Sequence, residues 1–331
     1  MLSSSPAPIS LARNHRLDAW EVYDAGEISR LLASDTLRVI DFREIYSNFS
    51  DRLNFDFSHT LRALDKVALG LNGCEHSAVR RETTVHFRNR KVQAEEAFKS
   101  KLSKCVESSV VPDGRIDLVD ALLMPPVMAM MSELSGVSSS LSDVPTISQI
   151  FDARMSLNRR KSIEYRLREI FDEASGRMTS EEATLAVAIF MVGADSILAS
   201  MSVSLYHDLK KSLGRRLSEV DWSPAFPKTG VPYVDRIATE DMEVCGISIS
   251  SGDRLRLRLD TFDAPYEGDT SGHFGFARHT CLGKALSISA WQALTEELSR
   301  IGKGYSNLEA TQRRPDFLFN SLQSLEVTFH D

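Results

Sequence analysis

The sequence has little of what marks secreted, membrane or zinc-binding proteins. Its first residues, MLSSSPAPISLARNH, contain no continuous apolar run and no basic start, so we expect neither a signal peptide nor an anchor but a cytoplasmic protein. One apolar run, 183–194, is too short for a membrane span and meets an aspartate at its end, which favours a buried helix. The four cysteines (Cys74, Cys105, Cys245, Cys281) have no paired spacing, so neither a disulfide framework nor a zinc knuckle is indicated.

Positive charge is outnumbered by negative charge. The chain has 39 Lys and Arg against 46 Asp and Glu, a net charge of −7, which argues against nucleic acid as the main partner. The segment HSAVRRETTVHFRNRK (76–91) is the exception, because it holds five cations, Arg80, Arg81, Arg88, Arg90 and Lys91. Such a run is either a solvated helix face or a docking site.

Neither repeats nor low-complexity segments interrupt the 331 residues. We therefore predict one continuous domain over residues 20–331, with residues 1–19 as an N-terminal extension for which disorder is one option. Apolar periodicity predicts helices over Ala25–Leu32, Glu75–Val106, Ile116–Leu134, Asn158–Glu173, Ser180–Leu213 and Lys284–Arg300. Alternation predicts a hairpin in EVCGISISSGDRLRLRL and a last strand in SLQSLEVTFH. The fold class is mainly α with a small β region that is segregated in sequence.

One cysteine lies directly before an Ala/Leu-rich amphipathic helix, in the loop HFGFARHTCLGKALS. The unpaired N–H groups and the dipole of a helix start favour a thiolate at Cys281. Phe274 lies seven residues before this cysteine, His279 two before it and Gly283 two after it. The alternative is a small buried cysteine that packs in the core.

This loop resembles the heme-binding loop of the cytochrome P-450 family, Phe-Gly-x-Gly-x-His/Arg-x-Cys-x-Gly, with Ala277 in place of the second glycine. The resemblance implies a trimmed P-450-like fold that binds heme b (iron protoporphyrin IX), with Cys281 as the iron ligand. It also implies that Phe274, His279 and Gly283 contact the heme. The second glycine of the family serves a turn with positive φ, where an alanine costs about 1 kcal/mol.

The stretch VGADSI in the buried helix resembles the family's distal pattern, with Asp195 in the acid place and Ser196 in the alcohol place. Dioxygen activation needs two protons inside an apolar pocket, and an acid and a hydroxyl where the helix opens can relay them. The alternative is a buried polar residue that faces a neighbour.

Two further segments resemble the places where the family holds the heme propionates. In LNGCEHSAVRRETTVHF these are His76 and Arg80, which share a helix face, and in YVDRIATED the residue is Arg236. A solvated pair is the alternative for His76 and Arg80. The resemblance runs from about Trp20 to the C-terminus.

The family's K-helix motif Glu-x-x-Arg is missing, because Glu219 is followed three places later by Trp222. Joint loss of an ion-pair network need not be unfavourable, so a trimmed fold is plausible. The segment where the family's substrate-covering helices lie, Leu141 to Ser180, is also short. Either the active site is more open than usual or a second subunit covers it, which leaves a homo-oligomer open.

The leading hypothesis is a heme-thiolate monooxygenase that hydroxylates or oxidatively tailors an apolar small molecule in secondary metabolism. Its electrons would come from a ferredoxin-type donor docked on a basic face with Arg81, Arg88 and Lys284. One alternative is a heme enzyme without external electrons, by peroxide-driven oxidation, dehydration or rearrangement. Another is an accessory homologue that activates a partner enzyme. A non-heme metal site at His279 and Cys281 would need further ligands. Neither nucleic acid nor membrane is expected as a partner.

Overall fold

The computed structural model describes residues 10–110, 113–137, 144–152, 155–263, 270–312 and 318–331. Where we expected one continuous domain, the chain divides into two compact units. Unit 1 comprises Met1–Ile40 and Pro232–Cys281, and unit 2 comprises Asp41–Val231 and Leu282–Asp331. A single heme-binding domain over residues 20–331 stays a prediction.

The described part of the chain is mainly helical, as the sequence predicted. Its α-helices are α1 (Ala25–Ala33), α2 (Phe42–Leu53), α3 (Ser58–Leu64), α4 (Gly73–Ser109), α5 (Met124–Ser135), α6 (Leu157–Ser175), α7 (Ser180–Lys211) and α8 (Lys284–Ser299). Its strands are β1 (Leu11–Asn14), β2 (Ala19–Val22), β3 (Leu37–Arg38), β4 (Gly114–Asp117), β5 (Tyr233–Ala238), β6 (Met242–Val244), β7 (Ile247–Ile249), β8 (Arg254–Arg258), β9 (Gly304–Gln312) and β10 (Leu322–His330).

Unit 1 is built on a five-stranded sheet of order β1-β2-β8-β5-β3. Strand β2 is antiparallel to β1 and parallel to β8, with Trp20 opposite Leu255. Strand β1 lies in the predicted N-terminal extension, so residues 11–14 belong to the sheet rather than to a disordered tail. These residues form a strand because they pair with β2, and the sequence of a four-residue segment does not show such a pairing.

The predicted hairpin is split between two sheets. Strands β6 and β7 form the hairpin, and its two-residue turn has positive φ at Cys245 and Gly246, the backbone that suits the twist of the flanking strands. Strand β8 instead joins the larger sheet, where Leu255 and Leu257 are buried and alternate with arginines.

Unit 2 is organised around α7, whose first turn is fixed by a capping box between Thr179 and Glu182. By length and composition α7 could cross a membrane, but 78% of its apolar window is buried among α3, α5, α6 and their neighbours. We therefore describe α7 as the core helix of this unit, as the apolar run predicted.

The predicted helix over Ile116–Leu134 begins too early. Residues of β4 pair with β10, and a π-helical turn, Val119–Leu123, precedes α5. Asp117 fixes this start, because its carboxylate accepts hydrogen bonds from the backbone N–H groups of Val119 and Leu325, both at 2.9 Å. The second of these bonds joins residues that are far apart in sequence, so periodicity could not predict it. Helices α2 and α3 were also missed.

Residues 221–231 form a strap of irregular backbone, with neither helix nor strand. Three side chains at four-residue spacing on α7 hold it: Ser200, Ser204 and Asp208. The Asp208 carboxylate accepts from the Ser223 backbone N–H at 2.9 Å and from its hydroxyl at 3.0 Å. Gly230 lies so close to α7 that a Cβ would be 2.3 Å from the Ser200 backbone nitrogen. The trimmed fold therefore secures this region by direct contact with the core helix.

Candidate heme-binding site

The loop around Cys281 belongs to unit 1 and closes on itself through its backbone. The Cys281 N–H donates to the Phe274 carbonyl at 2.8 Å, and the His279 N–H donates to the Phe276 carbonyl at 3.2 Å. Gly275 has φ +72°, and a Cβ there would be 3.2 Å from the His279 carbonyl oxygen. The first glycine of the motif is therefore required by backbone conformation and by close approach.

Ala277 has φ +51°, so the substituted glycine position is in the left-handed region. This confirms the conformation that the sequence resemblance implied. An L-residue in this region costs about 1 to 2 kcal/mol, and the hydrogen bonds of the loop hold Ala277 there.

Two side-chain contacts fasten the loop within unit 1. Arg278 forms an ion pair with Asp35, in the segment before β3. The rings of Phe276 and Phe262 pack with centroids 5.6 Å apart. Cys281 itself is exposed, so the alternative of a small buried core cysteine is wrong.

Arg236 lies on β5 and is buried, with 7% of its surface exposed. Burial lowers the pKa of Arg236 to about 10, against the opposing influence of Asp235. Its guanidinium donates to the Asp235 backbone carbonyl at 2.9 Å, whereas the Asp235 carboxylate is bound by Arg254 and by Arg256. Within the described part of the chain, Arg236 therefore forms no ion pair with a carboxylate. A buried cation of this kind suits an anionic ligand group such as a propionate.

His76 and Arg80 lie in unit 2, in the first turns of α4. They are four residues apart on one helix face, and His76 is buried with 4% exposure while Arg80 is half-buried. Burial of His76 contradicts the alternative of a solvated pair. A helix start also favours anions, which agrees with a propionate assignment. Gly283, also in unit 2, is the residue before α8.

Asp195 and Ser196 lie in α7, which is continuous through this region, so the expected opening of the helix is absent. The Ser196 hydroxyl donates to the carbonyls of the residues four and three positions earlier, at 3.0 and 3.1 Å. Asp195 is buried, with 5% exposure, and its carboxylate accepts a hydrogen bond from the hydroxyl of Ser148. Sequence reasoning missed Ser148, because nothing in the local pattern links it to a residue 47 positions away.

The basic segment of α4 presents two of its five cations to solvent. Arg81 and Arg88 are exposed and, in the described part of the chain, neither forms an ion pair. Val85 lies between these two arginines in sequence and is 48% exposed, and Val92 follows them and is 59% exposed. Lys91, by contrast, pairs with Glu95. The exposed face therefore combines positive charge with apolar surface.

Known proteins resemble this chain mainly in fold. No family model matches the chain. The biotin biosynthesis cytochrome P450 of Bacillus subtilis (strain 168) is 31% identical over 109 residues, a match that covers 28% of this chain and 27% of that relative. The structure of P450BioI, in complex with acyl carrier protein ligated to hexadec-9Z-enoic acid, superposes with a TM-score of 0.76 at 17% identity, covering 97% of this chain and 95% of that one. P450 RauA, complexed with a biosynthetic intermediate of aurachin RE, gives 0.73 at 17% identity, covering 98% and 94%. The chain therefore has the cytochrome P-450 fold, which confirms the resemblance that its cysteine loop carried.

Proposed function

We propose that this protein is a heme-thiolate oxidoreductase of the cytochrome P-450 type, which uses dioxygen to hydroxylate or oxidatively tailor an apolar small molecule. The observation that carries the proposal is the loop from Phe274 to Cys281. Gly275 and Ala277 of this loop have left-handed backbone, and the Cys281 N–H donates to the Phe274 carbonyl. The loop therefore presents an exposed thiol on a fixed backbone.

The residues of each unit suit the part of heme b that the resemblance assigns to them. Cys281 would ligate the iron, with Phe274, His279 and Gly283 as the surrounding loop contacts. Arg236 would bind one propionate, since its buried guanidinium lacks a carboxylate in an ion pair among the described residues, and His76 with Arg80 would bind the other. When bound, a heme with a thiolate ligand supplies oxidising chemistry, because the thiolate donates electron density that favours O–O cleavage.

The chain's own part in the chemistry is to exclude water and to hold protons. Asp195 is buried, as are Ile197 and Leu198 in the next turn of α7. Its carboxylate is the acid that would hold a proton at this place, and the Ser196 hydroxyl would pass it on after leaving its backbone acceptors.

One observation favours a second candidate, a heme enzyme that needs no external electrons. Helix α7 does not open at Ser196, and that hydroxyl is bonded to its own helix. A peroxide-driven oxidation, dehydration or rearrangement needs no such relay.

The proposed substrate and partners rest on the solved structures with the same fold and on the basic face of α4. P450BioI and RauA are described with a carrier-bound fatty acid and a biosynthetic intermediate, so secondary metabolism and an apolar substrate fit. Hexadec-9Z-enoic acid is the first probe to test. The exposed cations Arg81 and Arg88 support docking of a ferredoxin-type donor, to which Lys284 would add a charge. A cytoplasmic location and assembly with a second copy complete the proposal.

The test is the absorption spectrum of the purified protein, reduced and under carbon monoxide. We expect the band of a thiolate-ligated heme in the wild type and its loss in Cys281→Ala. Cys245→Ala is the matched control, because Cys245 is also an exposed cysteine of unit 1 but lies in the β6–β7 turn. A band that survives in Cys281→Ala would refute the ligand assignment.

A further inference from the structure

The acid of the proposed site has a hydroxyl partner on a different element from the one that the sequence indicates. Ser148 lies in a 3-10 segment, Val144–Phe151, and is fully buried at 0% exposure. Its hydroxyl donates to Oδ2 of Asp195, which is buried on α7. A hydrogen bond to a buried carboxylate is charge-assisted and stronger than a neutral one.

The segment that carries Ser148 is itself fixed from two sides. The Tyr46 hydroxyl on α2 donates to the Ile150 carbonyl at 3.2 Å. Arg160 on α6 donates to the Tyr46 hydroxyl at 2.9 Å and to the Asp152 carbonyl at 2.8 Å. These bonds hold the backbone that follows Ser148, at Ile150 and Asp152, so one end of the segment that presents the Ser148 hydroxyl to α7 is fixed.

Ser196, which follows the acid in sequence, donates its hydroxyl to the backbone of α7 at 3.0 and 3.1 Å. We infer that Ser148 is the positioning residue of Asp195: its hydroxyl holds the carboxylate in the orientation from which the proposed proton transfer starts. This inference rests on the proposed function. Ser148 acts through Asp195, and loss of its hydroxyl changes the hydrogen bonding of the carboxylate.

The experiment compares Ser148→Ala with Ser135→Ala. Ser135 is a matched control, because it is equally buried in unit 2 and, among the described residues, its hydroxyl bonds only to backbone groups, the Met131 carbonyl and the Val137 N–H. The protein is labelled with carbon-13 at the aspartate carboxyl groups and studied as the reduced carbon monoxide form. The resonance that disappears in Asp195→Asn identifies the Asp195 carboxyl.

We expect that resonance to shift in Ser148→Ala and to stay in place in Ser135→Ala. With hexadec-9Z-enoic acid as probe and a ferredoxin, its reductase and NADPH as donor, product per NADPH should fall by roughly 10- to 100-fold, the worth of one hydrogen bond to a charged group. Adding Ser148→Ala to Asp195→Asn should cause no further loss, because the two residues act as a unit.

Two results would overturn the inference. An Asp195 resonance that is unchanged in Ser148→Ala would show that the hydroxyl does not hold the carboxylate. A shifted resonance with unchanged product per NADPH, while Asp195→Asn loses product, would show that the bond is structural only. A wild type without the thiolate band would instead refute the proposed function, and the carboxyl resonance of the protein as purified would still decide whether Ser148 holds Asp195.

Discussion

The left-handed alanine in the cysteine loop yields a quantitative prediction. Ala277 has φ +51° and is exposed, so Ala277→Gly removes one methyl group without opening a cavity. Relief of the left-handed conformation is worth about 1 to 2 kcal/mol. Glycine also increases the freedom of the unfolded chain, which costs about 0.4 to 1 kcal/mol. The net expectation is a gain of about 1 kcal/mol in the free energy of unfolding.

Thermal unfolding followed by circular dichroism measures this gain. With an unfolding entropy of about 2.1 cal/mol/K per residue, 1 kcal/mol corresponds to a rise in Tm of about 1 to 2 °C for a chain of this length. Ala78→Gly is the control, since Ala78 is exposed inside α4, where glycine should cost about 1 kcal/mol and lower the Tm. If both substitutions lower the Tm equally, Ala277 carries no conformational penalty and the reasoning fails.

Three other variants test the buried cation, the strap and the basic face. Arg236→Met should raise the Tm of the heme-free protein, because it removes a buried charge that forms no ion pair with the described carboxylates, and it should weaken heme retention on gel filtration. Arg256→Met removes an ion-pair partner of Asp235 and should lower the Tm. Gly230→Ala should cost about 1 to 3 kcal/mol by overpacking against α7, whereas Gly70→Ala, with open space at its Cβ, should leave the Tm nearly unchanged. Reversing Arg81 and Arg88 to Glu should slow reduction by an acidic ferredoxin most at low ionic strength, with heme content intact; equal stopped-flow rates at low salt would exclude docking there.

The sequence determined the features that depend on neighbouring residues. The bounds of α4, α6, α7 and α8 lie within a few residues of the prediction, because a helix repeats its apolar face every three to four positions. The positive φ at Ala277 was likewise predictable, since the motif constrains a turn of only a few residues. Membership of the cytochrome P-450 fold followed from the same loop.

Only the tertiary structure decided the features that join distant segments. Strand β1 is a strand because it pairs with β2. Strand β4 is one because it pairs with β10, which lies about two hundred residues away along the chain. The strap is held to α7 by Ser200, Ser204 and Asp208. In the sequence these residues are simply polar positions of a helix, and nothing there shows what they bind. The hydrogen bond from Ser148 to Asp195 was decided in the same way. The sequence places Ser196 beside Asp195, but a helix turns successive side chains about 100° apart, and a hydroxyl from another element donates to the carboxylate.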